Sequence, residues 1–470
     1  MKLSIWVAGE WLETDEKITV TNKFTGEVMT RVSVATREHI RNAVSSAKRA
    51  MKDQPLSTEE RYRILSTVSR FLMERQDELG LQMAEEAGKP LKEAKMEVSR
   101  AARTFLIAAE EAKRIHGEIV PLSSDQPIGK LAYTLRLPIG VVCAISPFNF
   151  PMNLVAHKIA PAIAAGNAFV LKPASYTPLS AISLVKLMEE AGLPIGYGHL
   201  VIGGGSTVGE WLLQEEGFAY YTFTGSPAVG KHIKSAVGLR RSTLELGSNS
   251  ATIVHSDADL DYAAERCART AFNNAGQICI SVQRIYVQAS VYEAFITKLI
   301  KVTESLKVGD PTQPDTDVGP MISVNEAERA ESWIDEAVEN GAKLLLGGKR
   351  TGALITPTIL TGVTDSCRVC KEEAFAPLVM VNAYDTIQEA IQQVNASSYG
   401  LQGGLFTNSI DIMLQGMREI EVGGLMINET SSFRSDEMPY GGVKDSGVGR
   451  EGPRFAIEEM TEVKLVVVHK

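Results

Sequence analysis

Between Lys130 and the helical stretch that opens at Pro227, short apolar runs take turns with amphipathic ones: LAYTLRLPIGVVCAISP, AFVLKP, AISLVKLMEEAG, HLVIGG, a helical pattern through Trp211, and AYYTFTG. Strands joined through helices pair in parallel, whereas a tight turn can only reverse direction, so this rhythm constrains the chain to a doubly wound parallel sheet. The first run alternates and then becomes continuously apolar, as an exposed strand leading into a buried one does. A second series starts with ATIVHSDAD at Ala251, continues through RIYVQAS and a helix over 294–306, and resumes after a loop near Gly309. It predicts another α/β domain.

Residues 37–115 read as a run of helices. Ser57 and Glu60 have capping-box spacing, Leu65, Val68 and Leu72 recur at helical intervals, and Gly88, Lys89 and Pro90 break the run. The last stretch, TEVKLVVVHK, is a β-branched strand with no partner beside it in sequence. Such an edge needs covering, and pairing with another subunit is the expected way.

At 470 residues the chain has room for about two to four cores. Its net charge of −9 is spread along the sequence without a Lys/Arg block, so nucleic acid is not an expected partner. The start, MKLSIWVAGEWLE, lacks the basic opening and long apolar core of a signal peptide, and no apolar run reaches a membrane-spanning length. A cytoplasmic protein is expected. Five irregularly spaced cysteines argue against a disulfide framework. Cys367 and Cys370 form a C-x-x-C with no further ligands to complete a metal site, and read as two incidental thiols in a loop.

Cys279, in FNNAGQICIS, sits between a Gly-Gln turn and small or β-branched residues, where a thiol can be reached and can meet backbone N–H groups. Upstream, STLELGSNS places Glu245 at the end of an apolar strand, where a carboxylate can act as general base on water; alone, it reads rather as a solvated surface glutamate. SPFNFPMN places Asn149 after a buried strand, where its amide can donate to an oxyanion or simply form a turn. GGGSTVG, from Gly203 to Gly209, misses the dinucleotide-binding spacing by one residue. FTGSPAVGKH comes within one residue of a P-loop, but His232 stands where Ser or Thr should hold Mg²⁺. A helix N-terminus offering N–H groups to a pyrophosphate fits it better than a nucleotide hydrolase does.

The ordered set PFNFP, KPAS, FTGS, ELGSNS, GQICIS, EEAFAP and PYGGVKDSGVGREG resembles the aldehyde dehydrogenase superfamily along essentially the whole chain. The resemblance implies an α/β, aldehyde dehydrogenase-like fold. In it an NAD(P)-binding domain covers 1–116 and 136–247, a catalytic domain 248–445, and a small β oligomerisation element 117–135 and 446–470, assembled as a homodimer or homotetramer. It makes Cys279 the nucleophile that forms a thiohemiacetal and then a thioester, Asn149 with the Cys279 N–H the oxyanion hole, and Glu245 the activator of the hydrolytic water. For the cofactor it implies Lys172 at the adenine ribose, Gly225 and Ser226 at the pyrophosphate, Glu373 on the nicotinamide ribose and Phe375 beside the nicotinamide, with no metal. NAD-preferring members often carry Glu where this chain has Ser175, so NADP is expected to be tolerated or preferred over NAD.

The branch most resembled comprises lactaldehyde and non-phosphorylating glyceraldehyde-3-phosphate dehydrogenases. Arg100 and Arg434 match positions where that branch places basic residues around the far end of the substrate, and Arg forks suit carboxylate, sulfonate or phosphate. His157, in NLVAHKIAP, suggests a small polar substrate, with a satisfied core histidine as the equal alternative. Phosphate-specific members tend to have Arg just before the nucleophile; here Ile278 stands there. Its loss favours a neutral hydroxyaldehyde or a singly charged one, such as lactaldehyde or sulfolactaldehyde, over a dianionic phosphate. Another semialdehyde and glyceraldehyde-3-phosphate remain the alternatives, and hydrolysis is expected over transfer to CoA because Glu245 is present.

Overall fold

The structure, a computed structural model, describes residues 4–123 and 129–469. The first series of apolar runs forms five parallel strands in the order Gly198–Leu200, Phe169–Lys172, Val142–Ile145, Tyr220–Thr224 and Arg241–Glu245. The chain starts in the middle, winds outward to one side, and then crosses to the other. The order therefore reverses between Val142–Ile145 and Tyr220–Thr224, the switch point where open α/β sheets leave a crevice at their carboxyl ends. Both edges are closed by antiparallel strands, Ile5–Val7 with Glu10–Leu12 on one side and Gly447–Val448 beside Glu245 on the other.

The second series builds a seven-stranded sheet with Ala251–Val254 and Arg284–Gln288 adjacent at its centre. All its neighbours are parallel except the edge strand Lys343–Leu346. Both sheets are α/β as expected, with antiparallel edges that the alternation alone does not reveal.

The terminal strand Thr461–His469 has its partner within its own chain: it pairs over nine residues with Lys130–Pro138. That strand's far side is met by Glu118 and Val120. The outer edge of Thr461–His469 carries no ladder among the described residues, and Val463, Leu465, Val467 and Leu135 are exposed along the ribbon.

The helices arise where the capping signals lie. Ser57 Oγ accepts from the Glu60 N–H at 3.3 Å while the Glu60 carboxylate accepts from the Ser57 N–H at 2.8 Å. The run ends at Gly88, whose φ of +73° is the left-handed C-cap geometry that glycine adopts without a Cβ clash. Helix Asn153–Ala164 is buried on every side, so each polar residue on it must find a partner inside the protein. Its start is held by Glu97, which accepts from the Met152 and Asn153 N–H groups at 2.9 and 3.1 Å and pairs with the buried Lys89 ammonium. Replacing Glu97 with Ala strands that ammonium in the core. The variant is expected to lose about 3–5 kcal/mol of stability, read by urea unfolding.

Candidate active site

Cys279 follows helix Leu260–Phe272 through a tight turn in which Asn274, Ala275 and Gly276 all have positive φ, at +48°, +54° and +69°. A Cβ on Gly276 would lie 2.0 Å from the Ala376 carbonyl oxygen, so only glycine fits there. Holding two further residues left-handed costs of order 1–2 kcal/mol each, and the surroundings secure them. The Asn274 amide donates to the Asn149 carbonyl, and Gln277 donates back to the Asn274 carbonyl while accepting from the Ile322 N–H.

Asn149 extends from the switch-point strand, and its Nδ2 donates to the Gln277 carbonyl at 2.8 Å, two residues before Cys279. An amide nitrogen has two N–H bonds, so one remains for another acceptor. The Cys279 N–H donates to no protein group among the described residues. Asn149 Nδ2 and the Cys279 N–H, in residues that line one cleft, thus each keep a free donor.

Glu245 closes strand Arg241–Glu245, buried, with neither carboxylate oxygen hydrogen-bonded among the described residues. Burial drives its carboxyl far above the usual range; Glu451 reinforces the shift, and Arg434 and Lys158 oppose it. Glu451 goes the other way: burial pushes it up, but Lys158 and Arg434 outweigh burial and keep it ionised. Lys158 Nζ lies 2.8 Å from Glu451 and 2.6 Å from Thr224 Oγ1, and Arg434 Nη2 lies 3.2 Å from Glu451. Burial pushes the Cys279 thiol up to about 12; Tyr440, whose hydroxyl lies 2.9 Å from Sγ, and Arg434 pull it down, while Glu373 and Glu245 push it up.

A cleft of about 440 Å³ opens at the switch point and runs to Cys279, lined by Asn149, Lys172, Gly225, Ser226, Glu373 and Phe375 among others. Glu373 accepts from the Ser248 N–H at 3.0 Å and is pushed up to about 7 by burial. A Cβ on Gly247 would reach 2.4 Å from its carboxylate, so that glycine makes room for it. Phe375 is held at φ +47° with its ring edge-on to Phe148. Burial lowers Lys172 to about 8. Ser226 begins helix Pro227–Val237 without a side-chain cap, leaving first-turn N–H groups facing the cleft. Ser175 lies behind the lining, its hydroxyl donating to the Gly203 carbonyl at 2.9 Å. Lys231, the would-be P-loop lysine, instead points outward to Asp445 at 2.7 Å.

Arg100 and His157 meet at one carboxylate, Asp436. Asp436 accepts from Arg100 Nε and Nη2 at 3.2 and 2.9 Å, from Asn153 Nδ2 at 3.1 Å and from His157 Nε2 at 3.0 Å. Burial and Arg434 hold His157 neutral, so Nε2 carries the proton and Nδ1 is a buried acceptor without a partner among the described residues. Ile278 packs with Ile280, Leu401 and Tyr440. The sequence reading did not single out Lys158, Tyr440, Asp436 or Glu451. A lysine inside the apolar helix VAHKIAPAIA was a usable signal for the first; Tyr440 and Glu451 lie within PYGGVKDSGVGREG, which pointed to the stretch but not to these side chains, and Asp436 has no local signature.

A strand-end carboxyl, a cysteine on a strained turn and a switch-point cleft with a free helix N-terminus together define an oxidoreductase site of the dinucleotide type. The chain belongs to the aldehyde dehydrogenase family, whose profile matches residues 11–466. It is 53% identical over 466 residues to the 3-sulfolactaldehyde dehydrogenase of Priestia megaterium, covering 99% of this chain and 98% of that one. It is 41% identical over 473 residues to the lactaldehyde dehydrogenase of Methanocaldococcus jannaschii, covering 99% and 100%. The crystal structure of a glyceraldehyde-3-phosphate dehydrogenase from that archaeon, complexed with NADP, superposes with a TM-score of 0.94 at 40% identity, covering 97% and 100%. The protein is an NAD(P)-dependent enzyme that acts on aldehydes. Among the described residues no helix is long and apolar enough to cross a membrane.

The state of Glu245 has a measurable consequence. A carboxyl raised in the folded protein favours folding below its unfolded value, and that contribution is lost as pH rises toward the folded value. Glu245→Gln removes this titration. Its stability relative to the wild type is expected to climb by up to about 1.4 kcal/mol per pH unit above about pH 4.5 until the buried carboxyl ionises. Denaturant unfolding across pH reads the slope, and a flat difference would show that Glu245 is ionised at rest.

Proposed function

We propose that the enzyme oxidises a small hydroxylated or singly anionic aldehyde of the lactaldehyde or sulfolactaldehyde type to its carboxylic acid through a covalent Cys279 adduct. The observation that carries this reading is Cys279 lining the cleft with Asn149, whose amide and the Cys279 N–H each keep a spare donor, and with the buried carboxyl of Glu245 close enough to act on the thiol. The sulfur attacks the aldehyde carbon, the C=O π pair moves to oxygen, and the two N–H donors receive that charge. A bound nicotinamide supplies the hydride acceptor when present, and Lys172, Ser226 and Glu373 would hold its ribose and phosphate groups. Glu245, once ionised, takes a proton from the water that cleaves the thioester.

Support for the substrate class comes from the walls of the site. Ile278 adds no charge beside the sulfur, which disfavours a dianionic phosphate; glyceraldehyde-3-phosphate is the second reading because the NADP-bound relative acts on it. Among the described residues Arg100 spends one edge on Asp436 and its Nη1 meets no protein acceptor, which leaves a donor for a sulfonate or carboxylate; Arg434 Nε and His157 Nδ1 also lack partners among the described residues but are buried. For the cofactor, no carboxylate stands at Ser175 to repel a 2′-phosphate, so NADP is accepted at least as well as NAD. The open edge of Thr461–His469, with its exposed valines and leucine, fits assembly into a homodimer or homotetramer.

NAD(P)H formation is the direct test, with each cofactor against lactaldehyde, sulfolactaldehyde, glyceraldehyde-3-phosphate, succinate semialdehyde and simple alkyl aldehydes. The highest kcat/KM is expected for one of the first two with NADP; a phosphorylated or alkyl winner, or a strong preference for NAD, would overturn the corresponding half of the proposal. Asn149→Ala should lower kcat by about a hundredfold to a thousandfold without abolishing it.

A further inference from the structure

Tyr440 lies outside the roles assigned so far, yet it alone among the described side chains hydrogen-bonds the Cys279 sulfur, at 2.9 Å. It is buried, and the guanidinium carbon of Arg434 sits 3.6 Å from its ring centroid. Arg434 is itself fixed by Glu451 at 3.2 Å.

We propose that Tyr440 is a catalytic residue whose hydroxyl donates to Cys279 Sγ and stabilises the thiolate, with Arg434 as the positioning residue that holds and polarises its ring. This rests on Cys279 being the nucleophile. A thiolate has no proton, so once the sulfur ionises this bond can run only from the phenol to sulfur, and a hydrogen bond made to the charged form favours that form. The phenol keeps its proton, because burial and the neighbouring sulfur both push its own ionisation up. A cation on the ring face draws electron density from the phenol and places positive charge near the sulfur.

The charged and titratable groups that face the sulfur are few. Tyr440 and Arg434 come from one loop, Glu373 from the loop opposite, and Glu245 from the end of its strand. Both carboxyls oppose ionisation of the thiol, so stabilisation of the thiolate falls to the phenol and the guanidinium. On ionisation the thiol proton passes to water in the cleft and the electron pair stays on sulfur. That pair then forms the S–C bond while the carbonyl π pair moves to oxygen, and the hold of Tyr440 on the sulfur slackens as its charge is lost.

The hydrogen bond that raises the thiolate fraction also blunts each thiolate. With a Brønsted coefficient of about 0.4–0.5, a tenfold gain in thiolate is partly offset by about a threefold loss in intrinsic reactivity. The net effect of the hydroxyl on the rate at a given pH is therefore about threefold. Tyr440→Phe keeps the ring over Arg434 and removes only the hydroxyl. Iodoacetamide alkylation of Cys279, followed by mass spectrometry between about pH 6 and pH 9, where the buried thiol is still protonated, is expected to run about threefold slower in Tyr440→Phe than in the wild type at every pH.

Arg434→Lys, which keeps the charge but loses the flat stack, should slow alkylation in the same direction by less. Melting temperature and NADPH binding of Tyr440→Phe should match the wild type. An unchanged alkylation rate in Tyr440→Phe, with Cys279 still the labelled residue, would overturn the role of Tyr440 and leave the nucleophile in place. Inactivation of the wild type with the label on another cysteine would overturn both.

Discussion

One buried carboxylate organises the site. Glu451 is removed from water, and an isolated ion in that position would be unstable by several kcal/mol, so its neighbours are chosen by charge. Lys158 comes from the buried helix flanking the switch-point strand, Thr224 hydroxyl from the end of the neighbouring strand, and Arg434 from the loop that carries Tyr440. Satisfying this one group registers the first sheet against the loop that covers Cys279. The antiparallel bridge between Tyr440 and Glu451 adds a backbone tie at the same point. Asp436 repeats the principle a few residues away, drawing Arg100, Asn153 and His157 together. The result is that Arg434, Arg100 and Lys158 are each committed to a carboxylate before a substrate arrives.

The parallel sheets were legible because burial on both faces leaves near-continuous apolar runs, as in FVLK and YYTFT. The capping box at Ser57 was legible for a similarly local reason. The antiparallel edge strands were not, since Gly447–Val448 is two residues long and its partner lies two hundred positions away in the chain. Nor was the partner of the terminal strand, because nothing within TEVKLVVVHK distinguishes Lys130–Pro138 of the same chain from a strand of another.

The site divides along the same line. Cys279, Glu245 and Asn149 lie in short motifs whose backbone demands, a strained turn, a strand end and a strand exit, are written into adjacent residues. Arg100, His157 and Arg434 were read as lining the far end of a substrate, and the structure shows what each is tied to first. Their commitment to Asp436 and Glu451 is a tertiary fact: Asp436 sits in a loop of mixed polarity that reads as surface, and only folding brings it against helix Asn153–Ala164. Charge pairs between distant segments have no period and no spacing, which is why Arg434 was legible as a residue but its ties to Glu451 and to the Tyr440 ring were not.

Burial also sets the order in which the reactive groups can ionise. The cleft is walled by Ile145, Leu154, Phe223, Leu246 and Phe375, and both the Cys279 thiol and the Glu245 carboxyl are shifted toward their protonated forms. The coupling is mutual, since an ionised Glu245 raises the thiol and linkage makes the converse equally true. Two anions are therefore disfavoured together. On the proposed chemistry this is no obstacle, because the thiolate disappears into an uncharged thioester before a base is required. Loss of the sulfur's charge then lowers the cost of ionising Glu245 at the step where water must be activated, so the nucleophile and the base share one poorly solvated space by using it in turn.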